Sequence, residues 1–164
     1  MKLFQSVQTP CVGVCSTGIG DSVCRGCKRF DYEVIQWNSY DNSQKVAIDQ
    51  RLDHLLSGVV ESRLHIFDSS LLARQLRAQQ IRYPDYRDPY CWLYALLRAG
   101  ASQIKQPQDY GFTLRSDAQS FTLQQLREQI DQEFYLLSVA HYERYIVANQ
   151  SRARHASKQQ QTQR

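Results

Sequence analysis

The chain has 164 residues, 42% of them hydrophobic, which suits one ordinary domain, or one domain with a small appendage, and supplies enough apolar side chains for a core. Its net charge of +4 sits entirely at the C-terminus: residues 151–164 hold Arg152, Arg154, Lys158 and Arg164 and no acid, so taking those four from 20 basic residues leaves 16 against 16 acidic ones. A neutral body calls for no broad nucleic-acid-binding face, residues 1–10 lack the apolar core of a signal peptide, and no run reaches the roughly 18 apolar residues of a membrane span; the expected setting is the cytoplasm, with reduced thiols and no membrane.

The chain opens on a Cys-rich head, residues 9–29, with glycines at 13, 18, 20 and 26 and no periodic pattern. A helix is expected straight after it, because Phe30, Val34 and Trp37 recur at helical spacing and Asp31 and Glu33 stand early, where the helix dipole favours acids. Residues 38–44 read as a turn with an N-cap at Asn42 or Ser43, and a second helix then runs to about Leu56, where Gly58 is expected to stop it.

Arg63 to Phe67 suits a short strand, and Asp68 or Ser69 then caps a helix carrying Leu72 and Leu76. Residues 83–89 form a Pro-bounded loop, and residues 90–100, apolar on nearly every side and closed by Gly100, predict a buried helix. Residues 110–116 suit a second short strand. Thr122 and Gln125 form a capping box before the longest pattern, in which Leu123, Leu126, Ile130, Phe134, Leu137, His141, Tyr145 and Ala148 follow at spacings of three and four. Tyr135, Val139, Tyr142 and Ile146 form a second apolar line on this helix over 122–149, roughly 40 Å long at 1.5 Å per residue. The Gln-, Arg- and Ser-rich residues 150–164 predict a disordered basic tail.

Four of the five cysteines stand in the head, at the spacing Cys11-x3-Cys15-x8-Cys24-x2-Cys27. A Cys-x-x-Cys turn points two sulfurs at one centre, and Gly26 lets its backbone turn with N–H groups aimed at sulfur. The glycines between the pairs allow the chain to double back, so four thiolates can converge on Zn2+, at about 2.3 Å per bond, or on an iron–sulfur cluster. Arg25, Lys28 and Arg29 flank the second pair and partly offset its charge. Four thiols so close in a reducing compartment argue against incidental buried cysteines and against disulfides.

The residues Pro10, Cys11, Gly13, Cys15, Cys24, Gly26, Cys27, Arg29, Glu33 and Trp37 resemble the small bacterial YdhL-like family of predicted iron–sulfur proteins, a family of unknown function, over about residues 9–55. The resemblance implies that Cys11, Cys15, Cys24 and Cys27 are metal ligands and implies no reaction. Phe30 stands where that pattern has Thr, which moves the expected N-cap to Asp31, and Val34 stands where it has Ile.

These features predict a mostly α protein: a small four-cysteine metal-binding module with two helices over 9–57, packed on a helical body over 58–149 with at most two short strands. The leading expectation is a non-enzymatic metal-binding accessory protein whose partner is another protein. The alternatives are a redox or electron-transfer protein using an iron–sulfur cluster or the Cys24 and Cys27 thiols, and a zinc-knuckle adaptor that binds nucleic acid through its basic tail. Cys91 reads as a small core residue and His141 as a hydrogen-bonded core histidine. The segment from Ala140 to Tyr145 is the place to look for a second site. His54 and His65 read as surface or edge residues. No Walker, Rossmann, zinc-protease or nucleophile-elbow motif is present.

Overall fold

The structure, a computed structural model, describes residues 7–161 and the side chains of residues 7–154. The expected N-terminal signal-free segment lies largely outside the described residues. The chain is mostly helical: α1 spans Asp31–Gln36, α2 Asn42–Glu61, α3 Ser69–Ala78, α4 Pro89–Gly100 and α5 Leu123–Gln161, with two short strands, β1 Leu64–Ile66 and β2 Phe112–Leu114. It divides into two compact units, one of residues 1–8 and 40–134, the other of residues 9–39 and 135–164. No helix among the described residues is long and apolar enough to cross a membrane.

In the first unit α2 packs chiefly on α4, and α3 also packs on α4. The contact faces follow from helical spacing: Leu52, Leu55, Leu56, Val59 and Val60 of α2, Leu72 and Leu76 of α3, and Leu93, Leu96 and Leu97 of α4 are all buried. Leu126 and Ile130 of α5, in the same unit, are buried as well. The two strands pair antiparallel, with Leu64 opposite Leu114 and Ile66 opposite Phe112. Gly111 ends this pairing where its carbonyl accepts the N–H groups of Phe67 and Asp68 at 3.0 and 3.1 Å. A Cβ there would lie 2.3 Å from the Asp68 carbonyl oxygen, and the backbone is left-handed, so only glycine fits.

Local capping sets the helix starts. Asp41, not Asn42 or Ser43, caps α2: its Oδ1 accepts the Gln44 N–H at 2.9 Å and Gln44 Oε1 accepts the Asp41 N–H at 3.0 Å. Asp68 caps α3 through the Leu71 N–H at 2.9 Å, and Asp88 caps α4 with Pro89 in its first turn. α2 does not stop at Gly58 but runs unbroken to Glu61, because the buried leucines and valines on both sides outweigh the weak helix preference of one exposed glycine.

An ion pair joins two segments of this unit, with the half-buried Arg87 guanidinium on both carboxylate oxygens of the buried Asp49. Cys91, in α4, is buried as expected and donates its S–H to Asp53 Oδ1 at 3.0 Å. Burial, with Asp53 beside it, pushes its thiol far above the ordinary range. His54 and His65 are exposed.

The long stripe of α5 holds through Phe134 and then changes. Leu123, Leu126, Ile130 and Phe134 are buried, whereas Leu137 and Tyr145 are exposed. In the second unit Ser138 is the fully buried position, and the Tyr142 ring meets Phe30 edge-on at 5.3 Å. The second apolar line, with Tyr135 and Tyr142, therefore supplies packing where the first turns to solvent. α5 also continues through Gln161, into the segment whose composition suggests a disordered tail. From Leu123 to Gln161 it meets no Gly or Pro, and Gln, Arg, Ala and Lys are good helix formers. Residues 162–164 lie outside the described residues.

Candidate metal centre

The Cys24–Cys27 turn is a tight hairpin in the second unit. Val23 and Phe30 form an antiparallel bridge, the Cys24 N–H donates to the Arg29 carbonyl at 2.9 Å, and the Lys28 N–H donates to the Cys24 carbonyl at 2.8 Å. Lys28 closes the turn in the left-handed region, at φ 62°. The hairpin feeds directly into α1. The N-cap of α1 is Phe30, not Asp31; Phe30 has no side-chain acceptor, and Glu33 instead reaches back to take the Phe30 N–H at 2.9 Å.

Within this turn Cys24 and Cys27 come together, and both are buried. Burial raises the Cys24 thiol, but hydrogen bonds from the backbone N–H groups of Cys27, Ser16 and Gly26, with one from the Cys27 side chain, outweigh it and bring the thiol down to about 7. Cys27 goes the other way. Burial raises it, against the Arg29 guanidinium, whose Nε donates to Cys27 Sγ at 3.3 Å.

The loop carrying the first pair lies against the turn carrying the second. A Cβ at Gly26 would stand 2.5 Å from the Val14 carbonyl oxygen and 2.7 Å from Val12 Cγ2, so only glycine allows this approach. The Cys24 S–H donates to the Val14 carbonyl at 3.6 Å, and Ser16 Oγ accepts the Arg25 N–H at 2.8 Å. Cys11 and Cys15 themselves are exposed and bonded locally, Cys11 Sγ accepting the Gly13 N–H at 3.4 Å and Cys15 Sγ lying 3.0 Å from Thr17 Oγ1. No three His, Cys, Asp or Glu side chains among the described residues gather as a metal-holding group. The structure thus brings Cys24 and Cys27 together and sets the Cys11–Cys15 loop beside them without joining all four sulfurs.

The donor chemistry fits a thiolate-bound metal. The Cys24–Cys27 turn aims N–H groups at sulfur, as an anionic ligand requires, and two cations are buried with it. Lys28 is only 2% exposed and Arg29 only 3%. Lys28 Nζ donates to the carbonyls of Arg25 and Gly26 at 2.6 and 3.1 Å, and the Arg29 guanidinium lies 4.8 Å over the Trp37 ring. Arg25 differs from these two: its side chain is exposed, pairs with Asp21 at 3.0 Å and lies over Tyr135. Sequence reasoning places all three cations beside the thiols, but which are buried depends on the left-handed turn at Lys28, and no neighbouring residue announces that turn. Of the second site expected around His141, His141 and Tyr142 are half-buried and Arg144 and Tyr145 exposed on α5.

Residues 9–55, about a third of the chain, match a protein family described as a protein of unknown function (DUF1289). They cover the four cysteines, α1 and most of α2. Neither curated proteins nor solved structures yield a match.

Proposed function

We propose that this chain is a small cytoplasmic metal-binding protein that holds one centre, Zn2+ or an iron–sulfur cluster, through Cys11, Cys15, Cys24 and Cys27. On this reading the helical remainder serves an accessory role, with another protein as partner. The observation that carries the reading is the Cys24–Cys27 turn, with backbone N–H groups on sulfur and the Cys11–Cys15 loop seated on Gly26. The same likeness of motif that suggests the YdhL-like predicted iron–sulfur family supports the cluster form. A bound metal would supply cross-linking of the two loops and, if it is a cluster, electron storage. The chain's own residues would orient the thiolates and offset their charge.

A second reading draws on one observation of its own. Cys24, with its thiol at about 7 and the hydrogen bond it accepts from the Cys27 side chain, suits a thiol redox pair. Metal analysis and an absorption spectrum of anaerobically purified protein separate the readings. Brown protein carries a cluster, and colourless protein with one zinc per chain carries a structural site. Colourless, metal-free and fully folded protein rejects metal binding and leaves the thiol pair.

A further inference from the structure

The Cys24–Cys27 turn places a lysine where two unfavourable conditions coincide. Lys28 takes a left-handed backbone conformation that glycine would adopt without strain. Its side chain is also buried, although lysine is among the residue types least often buried. Strained and buried polar positions persist where the surroundings require them, and Lys28 lies inside the turn that holds two sulfurs. Its ammonium is seated on the Arg25 and Gly26 carbonyls, the two main-chain oxygens between Cys24 and Cys27. Those contacts hold the Arg25 and Gly26 carbonyls on the ammonium. Arg29, the next residue, places its guanidinium on Cys27 Sγ. Glu33, the buried acid of this segment, is turned to the Phe30 N–H at the start of α1.

Four thiolates around a divalent ion leave two negative charges in excess, and in a buried site an uncompensated charge is costly. Lys28 and Arg29 supply two positive charges in the same turn, of which the buried Glu33 carboxylate offsets at most one. We propose that Lys28 is a positioning residue of the thiolate centre: held within the Cys24–Cys27 turn, its ammonium holds the Arg25 and Gly26 carbonyls and, with Arg29, compensates the charge of the four-thiolate metal site. This rests on the metal-binding reading above and names the residue that sets its affinity.

The test is a Co2+ titration of the reduced, metal-free full-length chain, read by thiolate-to-metal charge-transfer and d–d absorption under competition with a chelator. Lys28→Met keeps the aliphatic stem and removes the charge; Lys28→Gly removes both and relieves the left-handed backbone, so that at least one variant folds. Both should bind Co2+ about 10- to 100-fold more weakly than wild type, with the d–d band positions unchanged. The loss should shrink when Cys11→Ser has removed one thiolate, a coupling that a purely structural clasp would not show. Wild-type binding with equal binding by Lys28→Met and Lys28→Gly overturns the role of Lys28 alone, as does an undiminished loss in the Cys11→Ser background. Wild-type protein that binds no Co2+ overturns the metal reading itself.

Discussion

Gly26→Ala puts the seating of the two cysteine loops to a direct test. A Cβ at this position meets the Val14 carbonyl oxygen at 2.5 Å, where an ordinary contact begins near 3.4 Å, so one loop must retreat by about 0.9 Å. The obstructing atom is backbone and cannot swing aside like the end of a flexible side chain. Overpacking of this kind costs about 1–3 kcal/mol. Without metal, the exposed Cys11–Cys15 loop relieves the clash by moving off; with four sulfurs on one ion it cannot. The cost should therefore fall on metal affinity, roughly 5- to 150-fold weaker at about 1.4 kcal/mol per decade, while the stability of the metal-free protein changes little. The assay is chelator competition for Zn2+ alongside urea denaturation of the metal-free chain. Unchanged Zn2+ affinity in Gly26→Ala would refute the idea that this close approach brings the first pair to the second.

Gly58→Ala should act in the opposite direction: the position is helical with open space around it, so the metal-free protein gains about 1 kcal/mol and a few degrees in Tm, measured by thermal denaturation. Asp49→Ala leaves the half-buried Arg87 guanidinium without its carboxylate and should cost about 3 kcal/mol in urea unfolding, whereas a loss under 1 kcal/mol would mean the pair is solvated in solution. In the native metal-free chain at pH 8, iodoacetamide followed by mass spectrometry should label Cys11 and Cys15 and spare Cys91, whose burial and raised thiol keep it protonated; early labelling of Cys91 would contradict its place in α4. Cys24 titrates lower in the folded metal-free chain than the ordinary thiol value of 9.0, so its contribution to stability is full above pH 9 and is lost as pH falls through about 7. Urea midpoints should fall more steeply from about pH 9 to pH 7 in wild type than in Cys24→Ser, in which the raised Cys27 and Cys91 thiols still contribute their own dependence; equal profiles would contradict the lowered Cys24 thiol.

Legibility along the chain tracked the range of the interactions involved. The strands at residues 64–66 and 112–114, the Asp68 cap and the buried α4 were readable because each depends on neighbours a few residues away. Gly58 reads locally as a helix stop, but buried leucines and valines carry α2 past it. The second half of α5 departs from its pattern for a related reason. Its two apolar lines are equally periodic, and only packing around Phe30 chooses Tyr142 over Leu137. The continuation of α5 beyond residue 149 shows the opposite case: residues that cannot build a core can still extend an existing helix.

The amino-acid sequence by itself determined the mostly helical class, the Asp68 cap, the Thr122–Gln125 capping box and the crowding of four thiols around Gly26, because composition, period and spacing act over one or two turns of chain. Only the tertiary structure decided which cations are buried with the thiols, which apolar line of α5 is covered, and that Arg87 meets Asp49 and Cys91 meets Asp53. Burial and ion pairing depend on which distant segments share a volume, and no local pattern states that. Lys28 belongs to both accounts. Its place after Cys27 was plain from the start, but its left-handed turn and its seat inside the cysteine hairpin required the fold.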